Sequence, residues 1–508
     1  MKGLLVRGCT FLDSATGGVY CERGRVVKLY TGGEPDVPSG TAVLDANGGT
    51  VVPGLVDTHC HPFEYGWLKR SVDLRGTSNI TGIRLRLQAG VMRAHPGEWV
   101  VGMGWDQEAF PDRKMPSRGD IDDISPANPV SLSRVCGHVA LLNSEALRRL
   151  GFASRSGPEY ERDASGGLTG IVKETALTEV YGSIPSTPER AAADIQAFDG
   201  EAARLGLTAV HCIVSPDGYR DELQALSALA AESRLALRYR VYVPPESLEF
   251  VREQGLEKTL SGERVRLNGV KIYADGSLGA RTAALREPYA DAPETSGLLR
   301  YSDEELGALV DRVDSLGYQA IIHAIGDRAV EQAAEALGAV AGASNPRRHR
   351  IEHAALLPRD LRSKMAKHAI RAAVQPCFVT SDTWAAERLG EDRADDLYPF
   401  RSMLEDGLTV SGSSDSPVES LSPIRGMWAA MTRGGAVPKE ALDLASAFKL
   451  YTANARSNGF DLPGFDEGDA ADFTVLDSAV AGMHPALFRK VGVVGTVTGG
   501  TFVHRFGG

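Results

Sequence analysis

Apolar runs of strand length alternate with amphipathic helical segments through the middle of this 508-residue chain. Two of the helical segments, 303–316 and 328–340, carry apolar residues at the spacing of a helix with one buried face. This alternation is typical of a parallel sheet whose strands are joined by crossover helices. Eight runs have the composition of buried strands: 51–58, 207–213, 235–242, 265–273, 318–323, 349–353, 369–375 and 408–413. Eight such units predict an α/β fold, a (β/α)8 TIM barrel.

The segment between the first two predicted strands, about 62–200, is much longer than an ordinary loop between a strand and a helix. We therefore expect a long insertion after strand 1 that has its own structure and lies above the mouth of the barrel. The chain ends differ in character, with short β segments separated by Gly-rich turns. We predict that residues 1–52 and 462–508 form a small β-sandwich domain and that residues 53–461 form the barrel.

The composition is that of an ordinary globular protein and does not favour binding to nucleic acid or to membranes. The chain has 55 Lys and Arg against 66 Asp and Glu, a net charge of -11, and no block of basic residues. It has neither a signal-peptide core nor a stretch of about 18 uninterrupted apolar residues. Its six cysteines form no CxxC pair, which argues against a thiolate zinc site or a disulfide framework. We expect a cytoplasmic protein that acts on a small molecule, and we leave a homodimer open.

Residues able to bind a metal follow or end several of the predicted strands. His59 and His61 end the first run, and alternation along a strand turns both imidazoles to the same side. His323, His353 and Asp415 end three later runs, where barrel enzymes place their catalytic groups. Each residue alone is more easily explained as a core histidine or a capping aspartate. Together they predict a metal site that suits zinc, with manganese or iron as alternatives.

The order of these residues and the sequence segments that flank them resemble those of one protein family. The segments VVPGLVDTHCHP, GHVALLNSEAL, VKIYADGSLGARTAAL, IIHAIGDRAV, RIEHA and SGSSDSPV are similar to the YtcJ-like, N-substituted formamide deformylase branch of the amidohydrolase superfamily. The resemblance covers residues 3–505, and its motifs are specific. It implies a metal-dependent hydrolase that cleaves a C–N bond in an amide, a formamide or a related N-acyl or cyclic amide.

The resemblance also implies a second cation and a modified lysine. In binuclear members of the family, a carboxylated lysine at the end of the fourth strand bridges two metals, and Lys271 occupies that position. An unmodified ammonium group cannot be a ligand, so Glu174 is the rival bridging carboxylate. A hydroxide held between the two cations would attack the carbonyl, with Asp415 as general base and then general acid.

The same resemblance indicates residues that line the substrate pocket. Trp105, Asp106 and His138 lie in the long insertion, where packing within a lid is the alternative interpretation. From their positions rather than from the resemblance, Arg281, after a Gly-rich loop, could anchor an anionic or carbonyl group, and Gln375, at the end of the seventh run, could contact the substrate. We expect His211 to support the core or the site rather than to bind metal.

Two other functions remain open from the sequence. The first is a mononuclear deaminase of a heterocycle, a reaction common on this fold. Such enzymes carry a glutamate three residues after the fifth-strand histidine, whereas this chain has Gly326 there. The second is a metal-free binding or regulatory protein on the same scaffold, because a fold alone does not fix a function.

Overall fold

The computed structural model describes residues 3–134, 139–173, 175–459 and 462–506 of the chain. It divides into two compact units, one formed by residues 1–63 with 198–508 and the other by residues 64–197.

Eight parallel strands of the first unit form the sheet that the sequence predicts. Their order in the sheet follows their order in the chain, and every neighbouring pair is parallel. A parallel bridge between Cys60 and Ser416 joins the first strand to the residues after the eighth. The strands are β1 (Leu55–Cys60), β2 (Leu207–Ile213), β3 (Arg238–Val243), β4 (Val265–Tyr273), β5 (Gln319–Ala324), β6 (Arg350–His353), β7 (Arg371–Val374) and β8 (Val410–Gly412). The prediction of a (β/α)8 barrel is therefore confirmed.

Helices connect the barrel strands, as the crossover pattern requires. The helix Asp303–Ser315 begins with a capping box between Ser302 and Glu305 and buries Leu306, Val310 and Val313. The other helices between or after the barrel strands are Pro188–Arg204, Tyr219–Ala231, Leu248–Glu253, Leu256–Thr259, Asp327–Ala341, Arg359–Lys367, Phe378–Ser381, Ala385–Leu389, Glu391–Ala394, Phe400–Glu405, Pro423–Thr432, Leu444–Tyr451 and Ala453–Asn458. The short helix Pro485–Phe488 lies near the C-terminal end of the chain. Within the part of the chain that the structure describes, no helical segment combines the length and the apolar composition of a transmembrane span.

The first apolar run was predicted as one strand, but the structure divides it at Gly54. Val51–Pro53 pairs antiparallel with Phe473–Leu476, whereas Leu55–Cys60 is the first barrel strand. A Cβ atom on Gly54 would lie 2.2 Å from the Thr208 Oγ1 atom, so a side chain there would displace β2. Because the run is apolar on both sides of Gly54, its hydrophobic pattern does not indicate that it divides into two strands.

Segments from both chain ends form two further four-stranded sheets in the first unit. Leu4, Val19 and Val26 belong to one hydrophobic cluster with Phe473 and Val497. In sheet order, one sheet contains Arg25–Thr31, Thr16–Glu22, Leu4–Thr10 and Ala42–Asp45, and the other contains Thr501–Arg505, Val493–Thr498, Phe473–Leu476 and Val51–Pro53. The two ends of the chain therefore share one core.

The second unit has a sheet and hydrophobic clusters of its own, as expected of an insertion of this length. In sheet order its six strands are Tyr160–Arg162, Leu168–Lys173, Val139–Leu142, Val130–Arg134, Val100–Trp105 and Val72–Asp73. Its helices include Ile80–Val91, Ser144–Arg149 and Thr175–Ser183, and the helix Pro62–Arg70 leads into it from β1. Its predicted position above the barrel mouth stays a prediction.

Gly269 tests how tightly the barrel strands pack. A Cβ atom there would lie 2.1 Å from the Gln319 carbonyl oxygen on β5, so Gly269→Ala should force β4 and β5 apart. We expect the free energy of unfolding to fall by about 1–3 kcal/mol, with a lower melting temperature in calorimetry. The control is Gly307→Ala in the helix Asp303–Ser315, where a Cβ atom meets nothing within 4 Å and where we expect a small gain. Equal melting temperatures for the two variants would contradict this packing.

Candidate metal centre

Three of the predicted ligands converge where the first and last barrel strands meet. The Oδ1 atom of Asp415 lies 3.1 Å from the Nε2 atom of His59 and 3.1 Å from the Nε2 atom of His61. One ligand atom from each residue lies within 4.8 Å of the others. Asp415 follows β8 with a left-handed φ of 54°, and its N–H donates to the His59 carbonyl at 2.8 Å. The backbone bond that joins the two strands thus also places the carboxylate against the histidines.

The other predicted ligands lie beside this group. The imidazole rings of His323 on β5 and His353 on β6 have centroids 4.5 Å apart, and the ring of His353 lies 5.0 Å from that of His59. The Nζ atom of Lys271, on β4, is 3.4 Å from the Nε2 atom of His59, and its side chain is fully buried. All six predicted ligands therefore lie at or just beyond the carboxyl ends of the barrel strands.

Three of these imidazole rings each use one nitrogen in a hydrogen bond to an oxygen acceptor. His59 Nδ1 bonds to Glu352, His353 Nδ1 donates to Gln375 Oε1 at 2.7 Å, and His323 Nε2 donates to the Gly276 carbonyl at 2.9 Å. The remaining ring nitrogen of each histidine carries a lone pair that can bind a cation. Imidazole nitrogens and a carboxylate are the donors that suit zinc, so these residues fit a divalent metal.

Burial sets the charge of the site. It lowers the pKa of His353 to about 3 and that of His323 well below its usual value, so both rings are neutral. Burial alone would raise the pKa of Asp415, but the neighbouring imidazoles outweigh it and hold that pKa well below its usual range. Burial lowers the pKa of Lys271 to about 8. Neutral imidazoles and an ionised carboxylate are the forms that bind metal.

Two further residues behind the site were not assigned a role from the sequence. Glu352 bonds to His59 through one oxygen and to the Arg350 Nε atom, at 2.5 Å, through the other. Both side chains are completely buried. The alternation along β6 was the available signal, because it turns residues 350 and 352 to one side of the strand.

Asp275 is another residue that sequence reasoning missed. Its buried carboxylate accepts N–H bonds from Ala284 at 3.0 Å, Ile325 at 3.1 Å and Gly326 at 2.9 Å, which ties the loop after β4 to the loop after β5. Burial raises the pKa of this carboxyl to about 7. A Cβ atom on Gly326 would lie 2.0 Å from the Ala284 carbonyl oxygen. The position of the deaminase glutamate therefore has no room for a side chain.

Two of the predicted substrate contacts in the first unit already have protein partners. Gln375 is buried, and its Nε2 atom donates to Ser413 while its Oε1 atom holds His353. Arg281 pairs with Asp291 at 2.6 Å and keeps a partly exposed side chain. Gln375 thus orients a predicted ligand, and substrate contact by either residue stays a prediction.

The predicted contacts in the insertion are held within the second unit. Trp105 is fully buried there and donates its indole N–H to the Leu132 carbonyl at 2.7 Å. Asp106 caps a short helical turn and accepts from Arg134 at 2.7 Å. His138 lies outside the described residues, as does Glu174, the rival bridging carboxylate. Substrate contact by these residues stays a prediction.

A (β/α)8 barrel with this set of donors at its carboxyl end is typical of metal-dependent hydrolases. The model of the amidohydrolase family matches residues 42–504, and the chain belongs to that family. The resemblance inferred from the motifs is therefore confirmed.

Individual relatives agree with the family. YtcJ of Bacillus subtilis (strain 168) is 31% identical over 92% of this chain and 91% of that protein. The N-substituted formamide deformylase of Arthrobacter pascens is 26% identical over 97% of this chain and 96% of its own length. The crystal structure of a metal-dependent hydrolase from Pyrococcus furiosus is 31% identical, with a TM-score of 0.79 over 94% of this chain and 99% of that one.

Proposed function

We propose that this protein hydrolyses a C–N bond in an amide, a formamide or a related N-acyl or cyclic amide, with two divalent cations such as zinc. The observation that carries the proposal is the convergence of His59, His61 and Asp415 within 4.8 Å. The name of the Arthrobacter relative, a formamide deformylase, supports a C–N bond as the target. The assay is amine release from N-substituted formamides, N-acyl amino acids and cyclic amides, with matched esters for comparison. Turnover of esters alone would exclude the C–N bond.

We assign these donors to two cations, with Lys271 as the residue that would bridge them. His59, His61 and Asp415 would hold one cation, and His323 with His353 would hold the second. When bound, the cations would polarise the scissile carbonyl and lower the pKa of a water molecule. The five donors are held by backbone or side-chain bonds before any ligand arrives, which limits the reorganisation that binding requires.

Asp415 would move the proton in this reaction. Its carboxylate is ionised and only 8% exposed, and its position is fixed by His59 and His61. It can accept a proton from the attacking water and then donate that proton to the nitrogen of the departing amine. The C–N bond breaks as the amine leaves, and the carbonyl carbon keeps the oxygen from water.

Lys271 would serve as a bridging ligand in its carboxylated form. The unprotonated amine attacks the carbon of CO2, and transfer of one N–H proton to water leaves an anionic carbamate. The position favours the free amine over the ammonium, because the Lys271 side chain is fully buried and burial lowers its pKa to about 8. A carbamate would supply negative charge between two cations, where an ammonium would be repelled.

We also propose that the two terminal sheets form the small β-sandwich expected from the sequence. Their shared hydrophobic cluster, which includes Val6, Val19, Phe473 and Val497, supports this arrangement.

Asp415→Asn tests the proton-transfer step. The change is nearly isosteric, and we expect kcat/KM to fall by about 10²–10⁴-fold with the circular dichroism spectrum unchanged. The control is Asp443→Asn at the cap of the helix Leu444–Tyr451, where asparagine caps equally well and activity should be retained. Activity of Asp415→Asn within about tenfold of wild type, about 1.4 kcal/mol of barrier, would disprove the role.

Lys271→Ala tests the carbamate. The variant should lose metal and most of its activity, and a short carboxylic acid such as acetate or propionate should partly restore both by occupying the emptied space. Metal per chain and amine release are measured with and without the acid, with chloride at the same ionic strength as the control. A variant that keeps two metals per chain would show that Lys271 is not the bridge and would move that role to Glu174.

A further inference from the structure

Glu352 lies directly behind His59, on the side of the ring away from Asp415. One carboxylate oxygen bonds to His59 Nδ1, and the other accepts from the Arg350 Nε atom at 2.5 Å. The Nε2 atom of the same His59 ring lies 3.1 Å from the Asp415 Oδ1 atom and 3.4 Å from the Lys271 Nζ atom. The carboxylate therefore sets which nitrogen of His59 is available to a cation, and in which direction it points.

Arg350 is itself held on its far side. Its Nη2 atom donates to the Thr58 carbonyl at 2.9 Å, and its guanidinium carbon lies 4.9 Å from the centre of the Tyr242 ring. Its Nη1 atom lies 2.8 Å from His211 Nδ1. Because a guanidinium can only donate, His211 must accept through Nδ1 and carry its proton on Nε2.

His211 ends this chain of contacts. Among the described residues its Nε2 atom has no hydrogen-bond partner, and a Cβ atom on Gly459 would lie only 2.8 Å from it. We therefore interpret the fully buried His211 imidazole as a neutral hydrogen-bond acceptor that holds the Arg350 guanidinium in place, and not as a metal ligand.

We propose that Glu352 is a positioning residue which, supported by Arg350 and His211, fixes the tautomer and orientation of His59 and so sets the affinity of the site for its cation. This inference rests on the proposed function, because it assumes that His59 binds metal. The Glu352 carboxylate accepts the Nδ1–H of His59, which makes the Nε2 lone pair a stronger ligand for a metal ion. The Arg350 guanidinium behind Glu352 balances the negative charge of this carboxylate in the barrel interior.

The competing explanation is that Glu352 and Arg350 form only a structural ion pair. The chain offers a matched control in Arg238 and Asp472, a buried pair in the same unit whose Nε and Oδ2 atoms are 2.5 Å apart. Neither residue contacts a predicted metal ligand through a hydrogen bond or an ion pair that the described residues show. Loss of either pair should lower stability, but only loss of Glu352 should alter metal binding.

The test compares zinc dissociation constants, measured by competition with a chromophoric chelator, and melting temperatures of the metal-free protein. For Glu352→Gln we expect zinc affinity to weaken by about 10–100-fold. For Asp472→Asn we expect a lower melting temperature and a zinc dissociation constant within about twofold of wild type. A Glu352→Gln variant that melts lower but binds zinc as tightly as wild type would overturn the proposal and leave a structural pair.

Glu352→Asp covers the case in which the glutamine variant does not fold. Aspartate keeps the charge opposite Arg350 but is one methylene shorter, so it cannot reach both partners. We expect it to fold and to bind zinc more weakly than wild type, and unchanged affinity would also overturn the proposal. If the wild-type protein itself binds no zinc, the proposed function fails instead, and the two failures are therefore distinguishable.

Discussion

The hydrogen bond from the Asp415 N–H to the His59 carbonyl is the contact on which the site depends. It joins residues from the two ends of the barrel sheet and lies next to the bridge between Cys60 and Ser416. His61 and Asp415 are 354 residues apart in the chain, yet this junction brings their side chains to 3.1 Å. The closure that completes the barrel thus also brings together three of the predicted ligands.

Desolvation explains why the buried polar side chains behind the predicted ligands make so many hydrogen bonds. A buried polar atom without a partner costs free energy, and a buried charge costs more. Glu352 uses both carboxylate oxygens, Asp275 accepts from three backbone N–H groups, and Gln375 links His353 to Ser413. In this barrel the same contacts therefore lower the cost of burial and orient the rings to which the proposed function assigns metal binding.

The sequence predicted those parts of the fold that depend on local periodicity. All eight barrel strands and the helix Asp303–Ser315 appear within a few residues of their predicted positions, because apolar runs and helical spacing are local signals. The break at Gly54 was missed because the apolar run continues across it, although the dipeptide Pro53-Gly54 is a local signal of interruption. Glu352, Arg350 and Asp275 were missed because their roles depend on partners far away in the chain. The six-stranded sheet of residues 64–197 mixes parallel and antiparallel pairs, and no local pattern specifies that order.

We propose that six side chains at the carboxyl end of the barrel hold two cations. Diffraction at the zinc absorption edge, from crystals of active protein grown with zinc and bicarbonate, would locate them. We expect two anomalous peaks, one beside His59 and His61 and one beside His323 and His353, with density for a carboxyl group beyond the Lys271 amine. An active preparation with no anomalous peak at this end of the barrel would contradict this proposal.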